Sequence, residues 1–136
     1  MTEDTARLKE IIARSPAARF LNLSVDLDAE GRVYGLGFQE AHIGNPLIRA
    51  LHGGVVATFL EAAAEMELAA ATGFSRFQTI SVQIDYLRGA DAVDMFARAR
   101  LIKVGKRVAV ADAIGWQASE DQPVARAALS FRMPDA

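Results

Sequence analysis

The sequence predicts an α+β domain in which one antiparallel sheet packs on a single long helix, and three observations predict it. The stretch 52–72, HGGVVATFLEAAAEMELAAAT, places Val55, Val56, Phe59, Leu60, Ala63, Met66 and Ala70 at helical spacing between a glycine-rich start and Gly73 as a stop. Four segments after it alternate as strands, and no second long helical pattern interrupts them. Two alternating segments before it flank Asp28-Ala29-Glu30-Gly31, which is turn chemistry. Strands gathered round one long helix make an α+β arrangement.

Taken in order, residues 5–14 read as a short helix with Leu8, Ile11 and Ile12 on one face, ended by Ser15-Pro16. Residues 1–16 are thus a helical extension of one domain spanning 1–136, without repeats or linkers. Residues 20–27 and 32–39 form a predicted hairpin, and 40–51 is a loop through Gly44-Asn45-Pro46. The central helix, about 18 residues at ~1.5 Å each, runs on the order of 27 Å. Residues 77–87 then alternate with Ile80, Val82, Ile84 and Tyr86 on one face and Thr79, Ser81, Gln83 and Asp85 on the other. Strands over 95–104 and 107–117 are joined at Lys103 to Arg107, and a strand over 124–133 follows a turn at 119–123.

Composition narrows the function classes. The chain has 136 residues, 51% hydrophobic and 24% charged, with a formal charge of −2, which is not the basic balance of a nucleic-acid binder. It has no Cys, which removes disulfides, thiol nucleophiles and Cys-ligated zinc, and with only His42 and His52 a protein metal site is not expected. The start MTEDTARLKE lacks the apolar core of a signal peptide, and no stretch is long and apolar enough to span a membrane. The expectation is a cytoplasmic protein without nucleic-acid or membrane partners.

The central helix also carries the candidate chemistry. At His52-Gly53-Gly54 the missing side chains open the unpaired N–H groups of the first turn to an anion or a developing oxyanion. Glu61 follows two turns later among Ala57, Thr58, Ala64 and Glu65, and no Lys or Arg occurs between Arg49 and Arg76 to balance Glu61, Glu65 and Glu67. Gly53 and Glu61 lie about 12 Å apart along one axis, too far to serve one carbonyl. Two antiparallel copies of the helix would bring Glu61 of one chain to Gly53 of the other, which predicts a two-fold dimer with two shared sites. The plainer alternative makes HGG a turn-and-cap device and Glu61 a surface acid. Asn45 is either a donor to a carbonyl oxygen or a turn residue, and His42 reads as ordinary loop polarity. Lys103, Lys106 and Arg107, grouped with Arg88, are either a solvated hairpin tip or a site for the phosphates of an anionic ligand.

LHGGVVATFLE, then a strand ending IDYLRGA, then LIKVGKRVAVADA, resembles the hotdog-fold acyl-CoA thioesterases of the phenylacetate-degradation and 4-hydroxybenzoyl-CoA thioesterase type over roughly residues 20–133. The resemblance implies a sheet of about six strands wrapped round the long helix, and a homodimer often paired into a tetramer. It implies hydrolysis of an acyl-CoA thioester without metal or other cofactor. By position it makes Glu61 the catalytic carboxylate and Gly53 the amide that polarises the carbonyl, from opposite subunits. It gives Asn45 and His52 assisting roles, and places Gly54, Arg88, Lys103, Gly105, Lys106 and Arg107 at coenzyme A or substrate. Some members carry a water-positioning hydroxyl four residues after the acid. Here that residue is Glu65, so the role is assigned to Thr79 on the next strand, where other members place it. Relatives commonly have Pro where this chain has Gly89.

Glu61 would then act as general base or as nucleophile, and two buried acids at 61 and 65 would raise each other's pKa. Phe59, Leu60, Met66, Phe74 and Phe77 are either the acyl pocket, suited to an aryl or medium-length chain, or simply core. The rivals are a non-catalytic acyl-CoA binding module, an acyl-CoA hydratase or dehydratase, and last a transcription regulator, for which no DNA-binding helix pair precedes the domain.

Overall fold

The computed structural model describes residues 3–135. Helix α1 (Glu3–Arg14) and the short α2 (Pro16–Leu21) lead into the hairpin β1 (Leu23–Asp28) and β2 (Gly31–Leu36). A 3₁₀ turn at Glu40–His42 and two short strands, β3 (Ile43–Asn45) and β4 (Ala50–Leu51), precede α3 (Gly53–Thr72). The remaining strands are β5 (Gln78–Tyr86), β6 (Met95–Val104), β7 (Val108–Trp116) and β8 (Ala125–Arg132). Six of them form one sheet in the order β1-β2-β6-β7-β8-β5, antiparallel at every pairing, and β3 and β4 pair separately. The predicted α+β, six-stranded hotdog arrangement with one long helix is what the chain adopts.

Helix α3 packs across one face of this sheet, against β6, β7 and β8. Phe59, Leu60, Ala63, Ala64, Leu68 and Ala69 on α3 and Ala97, Ala109, Ala111, Ala125 and Phe131 on the sheet are all fully buried. The run of alanines on β7 and β8 keeps the middle of the sheet low, so that a helix bearing Phe and Leu can settle against it at close packing. Helix α1 covers part of the opposite side, with Leu8 fully buried. It is tied down by Arg7, whose guanidinium donates to the carbonyls of Ala69 (2.7 Å), Gly73 (2.7 Å) and Phe74 (3.0 Å) at the C-terminal end of α3. The Gly73 and Phe74 carbonyls lie past the last turn, the Ala69 carbonyl also accepts the Gly73 N–H at 3.0 Å, and a cation there meets the negative end of the dipole. Gly73 ends the helix at φ 81°, where a side chain would be strained.

Three expectations are corrected. Ser15-Pro16 both stops α1 and starts α2: Ser15 Oγ accepts from Ala18 N at 3.1 Å and Pro16 occupies the first turn, so Phe20 and Leu21 are helical and not strand. The loop over 40–51 contains β3 and β4. Glu67 is not left unbalanced, because Arg32 of β2 reaches it with contacts of 2.6 and 3.1 Å and the buried Tyr34 hydroxyl donates to it at 2.5 Å. Burial and the neighbouring carboxylate raise the Tyr34 pKa, so the phenol stays a donor. Glu67→Gln removes the charge from this half-buried group and should cost about 2 kcal/mol, read as a lower urea midpoint with an unchanged slope.

Candidate active site

The start of α3 is built by two histidines. His52 is the N-cap, and its Nδ1 accepts the Gly54 N–H at 2.8 Å. Its own N–H donates to the His42 carbonyl at 2.8 Å. His42, read from sequence as loop polarity, is completely buried. Gln39 N–H donates to its Nδ1 (3.1 Å), so Nε2 carries the proton and donates to the Phe20 carbonyl at 2.7 Å. Gly44 has to be glycine, because a Cβ there would lie 2.6 Å from the His52 Cα. With Gly54 N–H used by the cap, Val55 and Val56 N–H bond back to the His52 carbonyl. The Gly53 N–H has no acceptor among the described residues and faces outward at the positive end of the dipole.

Tyr86 completes this end, and sequence reasoning missed it. Its hydroxyl donates to the Gly53 carbonyl at 2.7 Å, fastening the helix start to the end of the edge strand β5. The available signal was a polar-tipped aromatic closing an otherwise aliphatic strand face. Asn45 is exposed, and its Oδ1 accepts the Leu47 N–H at 3.1 Å, a turn bond, while Leu47 and Ile48 beyond it are 93% and 72% exposed.

Glu61 lies elsewhere. It lines a cavity of about 630 Å³ between α3 and the two N-terminal helices, together with Thr58, Ala62, Glu65 and Met66. Burial, and then the charge of Glu61, push the Glu65 carboxyl up to about 7. Neither Gly53, Asn45, His52 nor Thr79 lines this cavity. Of the expected acyl-pocket residues only Met66 does. Phe59 and Leu60 are core, Phe77 packs edge-on against Phe131, and Phe74 belongs to another cavity.

Thr79 is on the face opposite to the one predicted. The pairing of β5 with β8 slips at Ile80, so Thr79 lies beside Phe131 and Val82 beside Leu129, both core-facing, while Ser81 and Ser130 share hydroxyls at 2.6 Å on the outer face. Thr79 therefore shares the helix side of the sheet with Val82, Ile84 and Tyr86.

The predicted cation group divides. Gly105, Lys106 and Arg107 line a cavity of about 730 Å³ with Phe74, Ile80 and Arg132, a basic residue the sequence reading did not single out. None of these three cations has an ion-pair partner among the described residues, and Asp135 is the acidic residue in the lining. Lys103 pairs with Val110 outside this cavity. Arg88 does not belong to the group. In the antiparallel β5–β8–β7 register it follows Tyr86 and Ala125, at the other end of the sheet from Gln78, Arg132 and Val108, and its Nε donates to the Pro123 carbonyl at 3.0 Å.

Fold and site define a class: a hotdog domain whose central helix offers an unoccupied N-terminal amide and, further along, a carboxylate in a cavity. The model of the thioesterase superfamily matches residues 49–124, from the strand before α3 through β7. A thioesterase-superfamily protein of Bordetella bronchiseptica is 31% identical, with 98% of this chain and 100% of that one covered and a TM-score of 0.87. A phenylacetic acid degradation-related protein from Ralstonia eutropha JMP134 is 23% identical over 93% and 98% of the two chains, with a TM-score of 0.76. A Bacillus halodurans protein solved with CoA is 18% identical over 100% and 97%, with a TM-score of 0.76. This chain belongs to the thioesterase superfamily.

The raised pKa of Glu65 has a consequence for stability. Its folded value lies above its unfolded one, so the contribution is fully present below about pH 4.5 and is lost as pH rises through about 7. Glu65→Gln should match wild type at pH 4 and exceed it at pH 8 by on the order of 1–2 kcal/mol after allowance for solvent screening, measured by thermal unfolding at the two pH values.

Proposed function

We propose that the protein hydrolyses an acyl-CoA thioester at two sites shared across a two-fold dimer. The observation that carries this reading is the pair of Gly53 N–H, unoccupied at the start of α3, and Glu61, in a cavity on the same helix, in a chain of the thioesterase superfamily. Eight residues separate them, about 12 Å, so the site closes only between two copies.

The edge strand supports the pairing. Among the described residues β5 has no neighbour on its outer side, and Ile80, Tyr86 and Leu87 are 56%, 56% and 46% exposed. Bare strand edges with apolar side chains favour addition of another strand. Because Tyr86 ties the start of α3 to the end of β5, antiparallel pairing of two β5 strands also sets the two α3 helices antiparallel, Gly53 of one toward the middle of the other. It would likewise bring Arg88 of one chain toward the sheet end that carries Lys106, Arg107 and Arg132 in its partner. Those cations suit the phosphates of coenzyme A, and the CoA in the Bacillus halodurans structure agrees with such a ligand.

In the reaction, the Gly53 N–H donates to the thioester oxygen as it takes up charge, an effect of about 2.7–4 kcal/mol for a comparable donor. Glu61 takes a proton from water as the water oxygen bonds to the carbonyl carbon. Collapse breaks the C–S bond, expelling CoA thiolate and leaving the free acid. Direct attack by Glu61 to give a mixed anhydride, then hydrolysed, uses the same atoms. No metal or cofactor takes part in either route.

Two variants test this. Glu61→Gln should abolish thiol release from acyl-CoA while sparing binding. Gly53→Pro removes the N–H at a position where proline is compatible with a helix start, and should lower kcat by about 10²–10³. Each homodimer is then impaired at both sites, but mixed dimers carry one site with both groups intact, and co-expression should restore activity to well above either variant alone. No restoration would reject the shared site. Full activity of Glu61→Gln would reject its role, and ester binding without turnover in wild type would leave a binding module.

A further inference from the structure

We propose that the cavity beside Glu61 holds the acyl group and is built for a flexible aliphatic chain and not an aryl one, with the two N-terminal helices as the wall that sets chain length. This deepens the thioesterase reading and rests on it.

A carbonyl attacked beside Glu61 must place its acyl substituent next to that carboxylate. The space adjoining Glu61 in its own chain is this cavity, whose volume of about 630 Å³ falls in the range of small-molecule pockets. Its apolar lining is aliphatic, with Ile11 and Ile12 from α1, Ala18 and Leu21 from α2, Leu23 at the start of β1 and Met66 from α3, beside the hydroxyls of Ser15, Thr58 and Ser75. The chain has seven Phe, two Tyr and one Trp, and none of them lines it. An aryl acid gains most from ring edges and faces around it, whereas branched aliphatic walls and a Met conform to a polymethylene chain.

Charge argues the same way. Arg7 reaches the cavity but is spent on three carbonyls at the end of α3. Glu10, Arg14 and Arg76 are exposed and stand at the rim. The charged groups near the inner end are Glu61 and Glu65, so an acyl chain ending in a carboxylate would be repelled. The walls on the α1–α2 side are positioned by the Ser15 cap between the two helices and by the Arg7 anchor to the C-terminal end of α3.

The test is thiol release from straight-chain acyl-CoAs of increasing length and from benzoyl- and phenylacetyl-CoA, using wild type, Ala62→Leu and Ile11→Ala. Ala62 lines the cavity from the helix side, so Leu there fills it, and Ile11→Ala enlarges it. In wild type, kcat/KM should rise about fourfold per added methylene, equivalent to ~0.8 kcal/mol each, until the chamber is full. Aryl esters should fall below the straight chain of equal carbon number. Ala62→Leu should move the optimum to shorter chains and Ile11→Ala to longer ones. A preference for aryl esters, or variants that scale every rate in parallel, would overturn the inference and leave the thioesterase reading standing. If no ester is hydrolysed, that reading fails, and Kd across the same series decides this one: rising affinity moved by the two variants sustains it, and a flat series rejects it.

Discussion

The central helix has almost no polar side, and the rest of the molecule is arranged to cover it. Nine of its residues are buried, and its only ionisable side chains are three acids. A helix of this kind cannot stand at a surface. The sheet takes one side and α1 and α2 part of the other, which leaves a narrow strip through Gly54, Thr58, Glu61 and Glu65. Spaced four, three and four apart, these residues form one line along the helix. The candidate site is the place where the covering runs out.

The two ends of that helix are treated differently, and the difference bears on chemistry. At the C-terminal end every effort goes into closure: Gly73 turns the chain back and Arg7 takes three carbonyls from another helix. At the N-terminal end His52 takes one amide, the His52 carbonyl takes two, and the Gly53 N–H is left outward. The buried His42 holds that arrangement through hydrogen bonds to Gln39 in its own turn, to Phe20 and to His52. A donor fixed in advance of the reaction needs no reorganisation when charge develops before it. The same fixation requires rigidity on the side of β5, which the Tyr86 hydroxyl supplies.

Periodicity carried the fold into view. Long alternating or helical segments have one stable way to bury their apolar face, so α3 and β5 to β8 were legible within a residue or two of their ends. The helix α2 was not, because six residues give no period and Ser15-Pro16 reads equally as a stop or a start. The partner of Glu67 was hidden for another reason: Arg32 lies 35 positions away and meets it only once β2 crosses the helix. Grouping Arg88 with the 103–107 hairpin failed on the same ground. Closeness in sequence counts for little in an antiparallel sheet, where a strand of nine residues carries its two ends to opposite rims. For the candidate site, the residue types and the distance between Gly53 and Glu61 along one helix were readable, but the cavity beside Glu61 and the placement of Arg88 at the other end of the sheet were not.

The slip at Ile80 shows how one residue can decide whether a site is possible. Counting by twos along β5 puts Thr79 on the face away from α3. One extra residue against β8 reverses everything before it, so that Thr79, Val82, Ile84 and Tyr86 line one face. That face now has a hydroxyl near each end, Tyr86 holding the helix start and Thr79 at the opposite limit of the strand. Two such strands paired antiparallel set the Tyr86 end of one beside the Thr79 end of the other, on the side where the helices lie. The proposed chemistry needs an amide, a carboxylate and a group to place water within reach of one carbonyl. In a single chain these are spread over the length of a helix and a strand, and only the reversal imposed by a two-fold axis can fold that length back on itself.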